Sequence, residues 1–185
     1  MLQVIDTPFT DLYLIQRQPK FDNRGYLERL FCFESLKKVL GEKSVRQINH
    51  TMTHQAGTVR GMHYQQPPFA EVKMVSCIKG EIWDIVVDIR EGSPTFLQSF
   101  SVKLSDKDFL SILIPEGFAH GFQTISDNCE LIYFHTADYN PVAERGLNPR
   151  DPMLGIAWPM PITDLSPRDE NHEFLNNKFN GIKVS

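Results

Sequence analysis

A chain of 185 residues suffices for one domain with a sizeable core and is short for two, so a single unit over 1–185 is expected. Hydrophobic residues at 41% and charged residues at 23% fit a soluble globular protein and exclude a disordered one. A net charge of −4 argues against a general nucleic-acid binder, which needs a basic face, but leaves room for a local basic pocket around one phosphorylated ligand.

Met1 to Tyr13 carries acids and no uninterrupted apolar run, unlike a signal peptide, and nothing in the chain approaches a membrane span. The first credible helix is Phe33–Leu40, with Leu36, Val39 and Leu40 on one face and Gly41 as a stop. From about Val45 the pattern changes to strands and turns. Val72–Ile78 and Glu81–Ile89 read as two strands, with Lys79-Gly80 as the tight turn of a hairpin between them. In the second strand Trp83, Ile85, Val87 and Ile89 share one face, and Ile82, Asp84, Val86 and Asp88 the other. Gln98–Leu104, Phe109–Ile114 and Cys129–Thr136 follow, separated by Glu91-Gly92-Ser93-Pro94, Ser105-Asp106-Lys107-Asp108 and Ser126-Asp127-Asn128. The proline-rich tail from Asp151 reads as irregular, with one or two helical turns between Pro167 and Leu175. Short strands without alternating helices indicate a mainly β, antiparallel jelly roll with modest helix at both ends. Cys32, Cys77 and Cys129 are odd in number, widely spaced and free of any Cys-x-x-Cys pair, so a reduced, cytoplasmic setting is expected.

Arg60-Gly61-Met62-His63-Tyr64-Gln65 combines a fixed cation, a titratable imidazole and a phenol. Histidine is suited to proton transfer near neutral pH, although a lone strand histidine equally fits a core role against a backbone carbonyl. Strict alternation puts Arg60 and His63 on opposite faces, and Gly61 is a natural place for a bulge that turns both inward. Pro115-Glu116-Gly117-Phe118-Ala119-His120 matches the P-x-G-x-x-H motif of cupin jelly rolls. Metal-binding cupins pair it with His-x-His; here that place holds His63-Tyr64-Gln65, and His50, His54, His135 and His172 have no spacing that repairs it. Metal-free chemistry is therefore expected. Lys73 interrupts an apolar strand, either snorkelling at an edge or meeting an anionic ligand. Tyr133 is open between packing and chemistry, and Arg24, four residues before Glu28, fits a solvated ion pair.

Taken together, these pieces resemble the dTDP-4-dehydrorhamnose 3,5-epimerase family. The matching segments are Phe21-Asp22-Asn23-Arg24-Gly25 with Glu28, Gln47-Ile48-Asn49-His50, Arg60 to Gln65, Lys73, Asp84 to Arg90, Ser93-Pro94-Thr95-Phe96, Pro115 to Phe122, Tyr133, Asp151-Pro152, Trp158-Pro159 and Leu165-Ser166-Pro167-Arg168-Asp169. They run in the family's order across nearly the whole chain. The resemblance implies a cupin jelly roll, a homodimer with exchanged N-terminal strands, and no metal or organic cofactor. It also implies inversion of carbons 3 and 5 of a thymidine-diphosphate 4-keto-6-deoxyhexose through an enolate, in deoxysugar biosynthesis. On it His63 takes the general-base position, Asp169 that of the orienting carboxylate, Tyr133 that of the acid across the sugar ring, and Lys73 that of the cation at the enolate oxygen. His120 and Arg60 fall where the family holds sugar and diphosphate. Arg24, Glu28, Gln47 and Asn49 fall at nucleotide-binding positions, some of them reaching the partner's pocket. Tyr139, Glu144 and Arg168 are further carry-overs at the substrate, and Asp84 is expected behind Lys73.

Three positions depart from the pattern: Glu71 replaces a polar, often amide, residue, Phe134 a frequent lysine, and Arg168 a lysine beside Asp169. A 3-epimerase of a related keto sugar and a non-catalytic cupin that binds a sugar nucleotide are the alternatives. The joint presence of His63, Asp169, Tyr133 and Lys73 weighs against the second, since binding alone needs no base opposite an acid.

Overall fold

Strands that are apolar on both faces can be buried only between further layers, and the chain supplies them by stacking two sheets and covering both outer faces. The structure is a computed structural model and describes residues 2–184. In chain order the elements are β1 (Leu2–Asp6), β2 (Tyr13–Arg17), β3 (Lys20–Asp22), β4 (Gly25–Leu27), α1 (Phe33–Leu40), β5 (Gln47–Thr53), β6 (Thr58–Gln65) and β7 (Lys73–Lys79). There follow β8 (Glu81–Asp88), β9 (Ser99–Ser105), β10 (Leu110–Ile114), β11 (Phe118–Thr124), β12 (Cys129–His135), β13 (Glu144–Gly146), β14 (Asp164–Leu165) and α2 (Pro167–Glu170).

One sheet runs β1-β2-β10-β7-β12-β5 and the other β13-β6-β11-β8-β9, with β14 added in parallel to β6. All other pairings within these two sheets are antiparallel. From β5 to β12 the chain switches sheets at nearly every step, which is the jelly-roll arrangement.

That alternation corrects one expectation. β7 pairs with β10 and β12, whereas β8 pairs with β9 and β11, so Lys79-Gly80 is not a hairpin turn. It is the corner at which the chain leaves one sheet for the other. Gly80 has φ +82°, and a Cβ there would lie 2.8 Å from the Cys129 sulfur, so the corner requires glycine.

The inner layer joins Val75, Cys77, Ile112 and Leu131 of the first sheet to Ile82, Val86, Leu104 and Phe122 of the second. Outside the second sheet, Ile85, Val87 and Ile89 are covered by the tail through Leu147, Leu154, Trp158 and Ile182. Outside the first, Met74, Leu113 and Phe134 receive Leu36 and Leu40 of α1. The two faces read for β8 thus belong to two different cores. The Ser93-Pro94-Thr95 segment is explained by Asp88, whose buried carboxylate accepts from Ser93 Oγ, Thr95 Oγ1, the Arg90 guanidinium and the Arg90 N–H, pinning the loop after β8. The tail's expected helix is one turn, α2; Asn171 leaves the helical path and the chain to Leu175 is irregular.

Candidate active site

His63 and Arg60 reach the same cavity because β6 carries an extra residue. His120 pairs with His63 and Phe122 with Arg60, so three steps on β6 face two on β11. Gly61 sits in this bulge with φ +134°, and a Cβ there would fall 2.5 Å from Gly121 Cα. Two facing glycines therefore permit the inward turn anticipated at Gly61.

Asp169 is delivered by α2. Pro167 opens the helix and Ser166 Oγ accepts the Asp169 N–H at 3.1 Å, fixing the carboxylate in the first turn. Asp169 Oδ1 lies 2.7 Å from His63 Nε2, and Oδ2 accepts the Gly61 N–H at 3.2 Å. Burial works to raise this carboxyl, but the His63 hydrogen bond and charge, the Gly61 N–H and Arg168 outweigh it and lower it to about 2. A carboxylate so held selects the imidazole tautomer protonated on Nε2, leaving the Nδ1 lone pair free to take a proton. Arg168 Nη2 stands 2.9 Å from the same Nε2. A guanidinium only donates, so this contact is a charge neighbour of the Nε2–H tautomer and not a hydrogen bond.

The opposite wall belongs to the first sheet. Gln47, Asn49 and Thr51 alternate on β5, and Tyr133 and His135 on β12, each pair two residues apart and on one face. Lys73 begins β7 and is nearly buried; its ammonium meets Glu71 Oε1 at 3.2 Å. Burial and the Asp84 charge push the Tyr133 phenol well above its ordinary range, so it remains protonated at neutral pH. Asp84 itself is fully buried, with its carboxyl raised by burial against the opposing pull of His120 and Lys73. Its hydrogen-bond partner is His120 Nε2 at 2.9 Å; Lys73 pairs with Glu71 instead. The position expected behind Lys73 is thus filled by Glu71, and Asp84 stands behind His120.

These walls enclose a cavity of about 690 Å³, within the range of small-molecule sites. His63, Tyr133, Asp169, Lys73, Gln47, Asn49, Arg60, His120, Tyr139, Glu144 and Arg168 all line it. Tyr139 Oη and Arg168 Nη1 both donate to Glu144 Oε2, at 2.9 and 3.0 Å, and Gln47 Oε1 accepts the Tyr139 N–H at 3.1 Å, closing the rim. Glu71 and His135 also line the cavity, although neither was singled out as a site residue.

Arg24 and Glu28 do not reach this cavity within one chain. Arg24 sits in the turn between β3 and β4 and pairs with Asp22 at 2.6 Å, fully in solvent. The solvated Arg24–Glu28 pair is absent, because Glu28 instead neutralises the buried Arg17 guanidinium at 2.7 Å. Among the described residues one group has three closely spaced metal-ligand types, His63, Asp169 and His172, whose ligand atoms lie within 4.8 Å of one another. The Arg168 guanidinium, against both His63 and Asp169, places a fixed positive charge where a cation would have to sit.

Residues 6–177 match the family model described as dTDP-4-dehydrorhamnose 3,5-epimerase. The protein of that name from Sinorhizobium fredii is 37% identical over 166 residues, covering 89% of this chain and 85% of its own. A dTDP-4-dehydrorhamnose 3-epimerase from Streptomyces niveus is 41% identical over 158 residues, covering 85% of this chain and 76% of its own. Among solved structures, the dTDP-6-deoxy-D-glucose-3,5-epimerase of Legionella pneumophila, in complex with dTDP-4-keto-L-rhamnose, superposes with TM-score 0.91 at 32% identity, covering all of both chains. This chain, a jelly roll with a carboxylate-held histidine across the cavity from a half-buried tyrosine and a buried lysine, matched over nearly its whole length in sequence and structure, belongs to the dTDP-4-dehydrorhamnose 3,5-epimerase family.

Proposed function

We propose that this protein inverts carbons 3 and 5 of a dTDP-linked 4-keto-6-deoxyhexose, with His63 as base and Tyr133 as acid. The observation that carries the reading is their placement on opposite walls: His63 comes from β6 of one sheet and Tyr133 from β12 of the other. Inverting a carbon needs a proton removed from one side of the ring and returned from the other, and two sheets facing each other supply that. The ketone between the two carbons acidifies both α-protons but leaves them far weaker acids than imidazolium. The enolate therefore needs its own stabilisation, which the nearly buried Lys73 ammonium supplies in a site of low dielectric. Arg60 and His120 hold the sugar and diphosphate, Gln47 and Asn49 the nucleotide, and Tyr139, Glu144 and Arg168 the rim. The sugar nucleotide bound by the Legionella pneumophila relative supports this choice of substrate.

The working unit in this reading is a homodimer. The β3–β4 hairpin carries Phe21, Tyr26 and Leu27, 68%, 51% and 76% exposed, and β5 presents Ile48, 60% exposed. Such apolar side chains around Arg24 fit a hairpin that covers a second copy and brings Arg24 and Glu28 to its nucleotide. No helix of the described residues is long and apolar enough to cross a membrane. All three cysteines are free, which supports a cytoplasmic setting.

Incubation with dTDP-4-keto-6-deoxyglucose and excess chelator, followed by proton NMR, tests the reaction and its metal independence together. The expected product is inverted at carbons 3 and 5, at a rate the chelator does not change. Inversion at carbon 3 alone would make this a monoepimerase like the Streptomyces niveus relative. Chelator-sensitive turnover would overturn the metal-free reading, and binding without turnover would leave a non-catalytic cupin. Sedimentation should give twice the chain mass of 21.3 kDa; a monomer would remove the exchanged hairpin.

A further inference from the structure

We propose that Glu71 and His135 form a positioning couple that aims the Lys73 ammonium at the substrate ketone, with Glu71 as the anion that compensates its charge. The inference rests on the reading of Lys73 as the enolate-stabilising cation. Two contacts of the Glu71 carboxylate carry it, one from each oxygen. Glu71 Oε1 meets Lys73 Nζ at 3.2 Å, and Oε2 accepts from His135 Nδ1 at 2.8 Å. The carboxylate is about nine-tenths buried, so it has little water to share its charge with. Its second oxygen is engaged elsewhere, so Glu71 grips Lys73 through one oxygen only. The remaining ammonium protons are free to point into the cavity.

His135 is itself held from two sides. Asn49 Nδ2 lies 3.4 Å from its Nε2, which makes Nδ1 the protonated nitrogen and Glu71 its acceptor. Its ring lies nearly parallel to that of Tyr133, with centroids 6.0 Å apart and planes at 12°. One couple therefore ties together the cation, the phenol and an amide at the nucleotide end. Burial works to raise the Glu71 carboxyl, but Lys73 and His135 lower it to about 2, so it is an anion throughout the working range.

The charged and titratable groups nearest Lys73 are Glu71 beside it, His135 paired with it on β12 and Asp84 on β8, and Tyr133, His120, Arg60 and His63 line the same cavity. Asp84 meets His120 through Oδ2, its buried Oδ1 has no hydrogen-bond partner, and the Lys73 ammonium pairs with Glu71, which is therefore the anion in direct contact with it. Removing it leaves a buried lysine with weaker compensation, and a buried lysine loses its proton at lower pH.

Glu71→Gln preserves shape and tests this directly. The alkaline limb of the kcat profile should move down by about one pH unit or more, the size of shift a close opposite charge produces, with KM changed little. His135→Phe keeps the stacked ring but frees the carboxylate to close on Lys73. It should lower kcat about tenfold without moving the limb down, and Glu71→Asp should restore part of the Glu71→Gln loss. Titration of protein labelled with carbon-13 at lysine Cε, with the Lys73 signal assigned by its loss in Lys73→Met, reads the same relation without substrate. A Lys73 midpoint that falls in Glu71→Gln but not in His135→Phe is the expected result. A midpoint and a limb indifferent to Glu71→Gln would overturn the couple. Wild-type protein that fails to turn over the sugar nucleotide would count instead against the activity proposed above.

Discussion

His63→Ala is expected to lower turnover by about 10³-fold or more while leaving sugar-nucleotide binding nearly unchanged. A positioned general base contributes about 10² to 10⁴-fold, and in the proposed mechanism one imidazole serves both carbons, so its loss strikes both half-reactions. Binding should survive because Gln47, Asn49 and Arg60, the lining residues proposed to hold nucleotide and diphosphate, remain in place. A fall in kcat with KM and Kd retained is the signature of a group used in the transition state rather than in the ground state. The variant should also lose stability at neutral pH. The Asp169 carboxyl lies below its unfolded value of about 3.9, and His63 is among the causes. That contribution is present above the unfolded value and vanishes as pH falls through about 2. Its reduction in His63→Ala should therefore appear at pH 7 and disappear in strong acid, as read by denaturant midpoints. Turnover within tenfold of wild type would remove His63 as the base.

Tyr133→Phe is expected to lower product formation by about 10²-fold with binding unchanged, because the hydroxyl is lost and the ring retained. Burial and the Asp84 charge keep the phenol protonated, which makes it a donor and not a second base. Its loss should let deprotonation continue while the enolate recovers its proton from the His63 side or from water. The variant should then return substrate, or release product of mixed configuration, more often than wild type. Product of correct configuration at the wild-type rate would dismiss Tyr133 as the acid.

The parts of the site readable in the sequence are those whose signal is local. Arg60 to Gln65 holds the proposed base, a cation and the glycine of the bulge within six positions, and the antiparallel strands follow from short apolar runs between turn signals. The pairing of β7 with β10 and β12 is not local. A glycine turn between two apolar strands looks the same whether the strands pair or pass to different sheets, so Lys79-Gly80 read as a hairpin. The same limit hid the Glu71–His135 contact, whose members are 64 residues apart and meet because His135 is registered against Lys73. Glu71 could be seen as a departure from the family pattern, but nothing in the chain order named its partner. Arg24 and Glu28 show a different limit. Their local sequence fits the family, yet Arg24 pairs with Asp22 and Glu28 with Arg17, so one chain leaves both outside the cavity, and a role at the nucleotide depends on the proposed dimer.

In the proposed reaction, protons leave carbons 3 and 5 to one base, His63, and return across the ring. Proton NMR of dTDP-4-keto-6-deoxyglucose turned over in deuterium oxide reads this directly. Wild-type protein should place solvent deuterium at both carbons of the product, and His63→Ala should place it at neither. Retained hydrogen at carbon 3 or carbon 5 of an inverted product, or undiminished exchange in the variant, would rule out His63 as the base shared by both carbons.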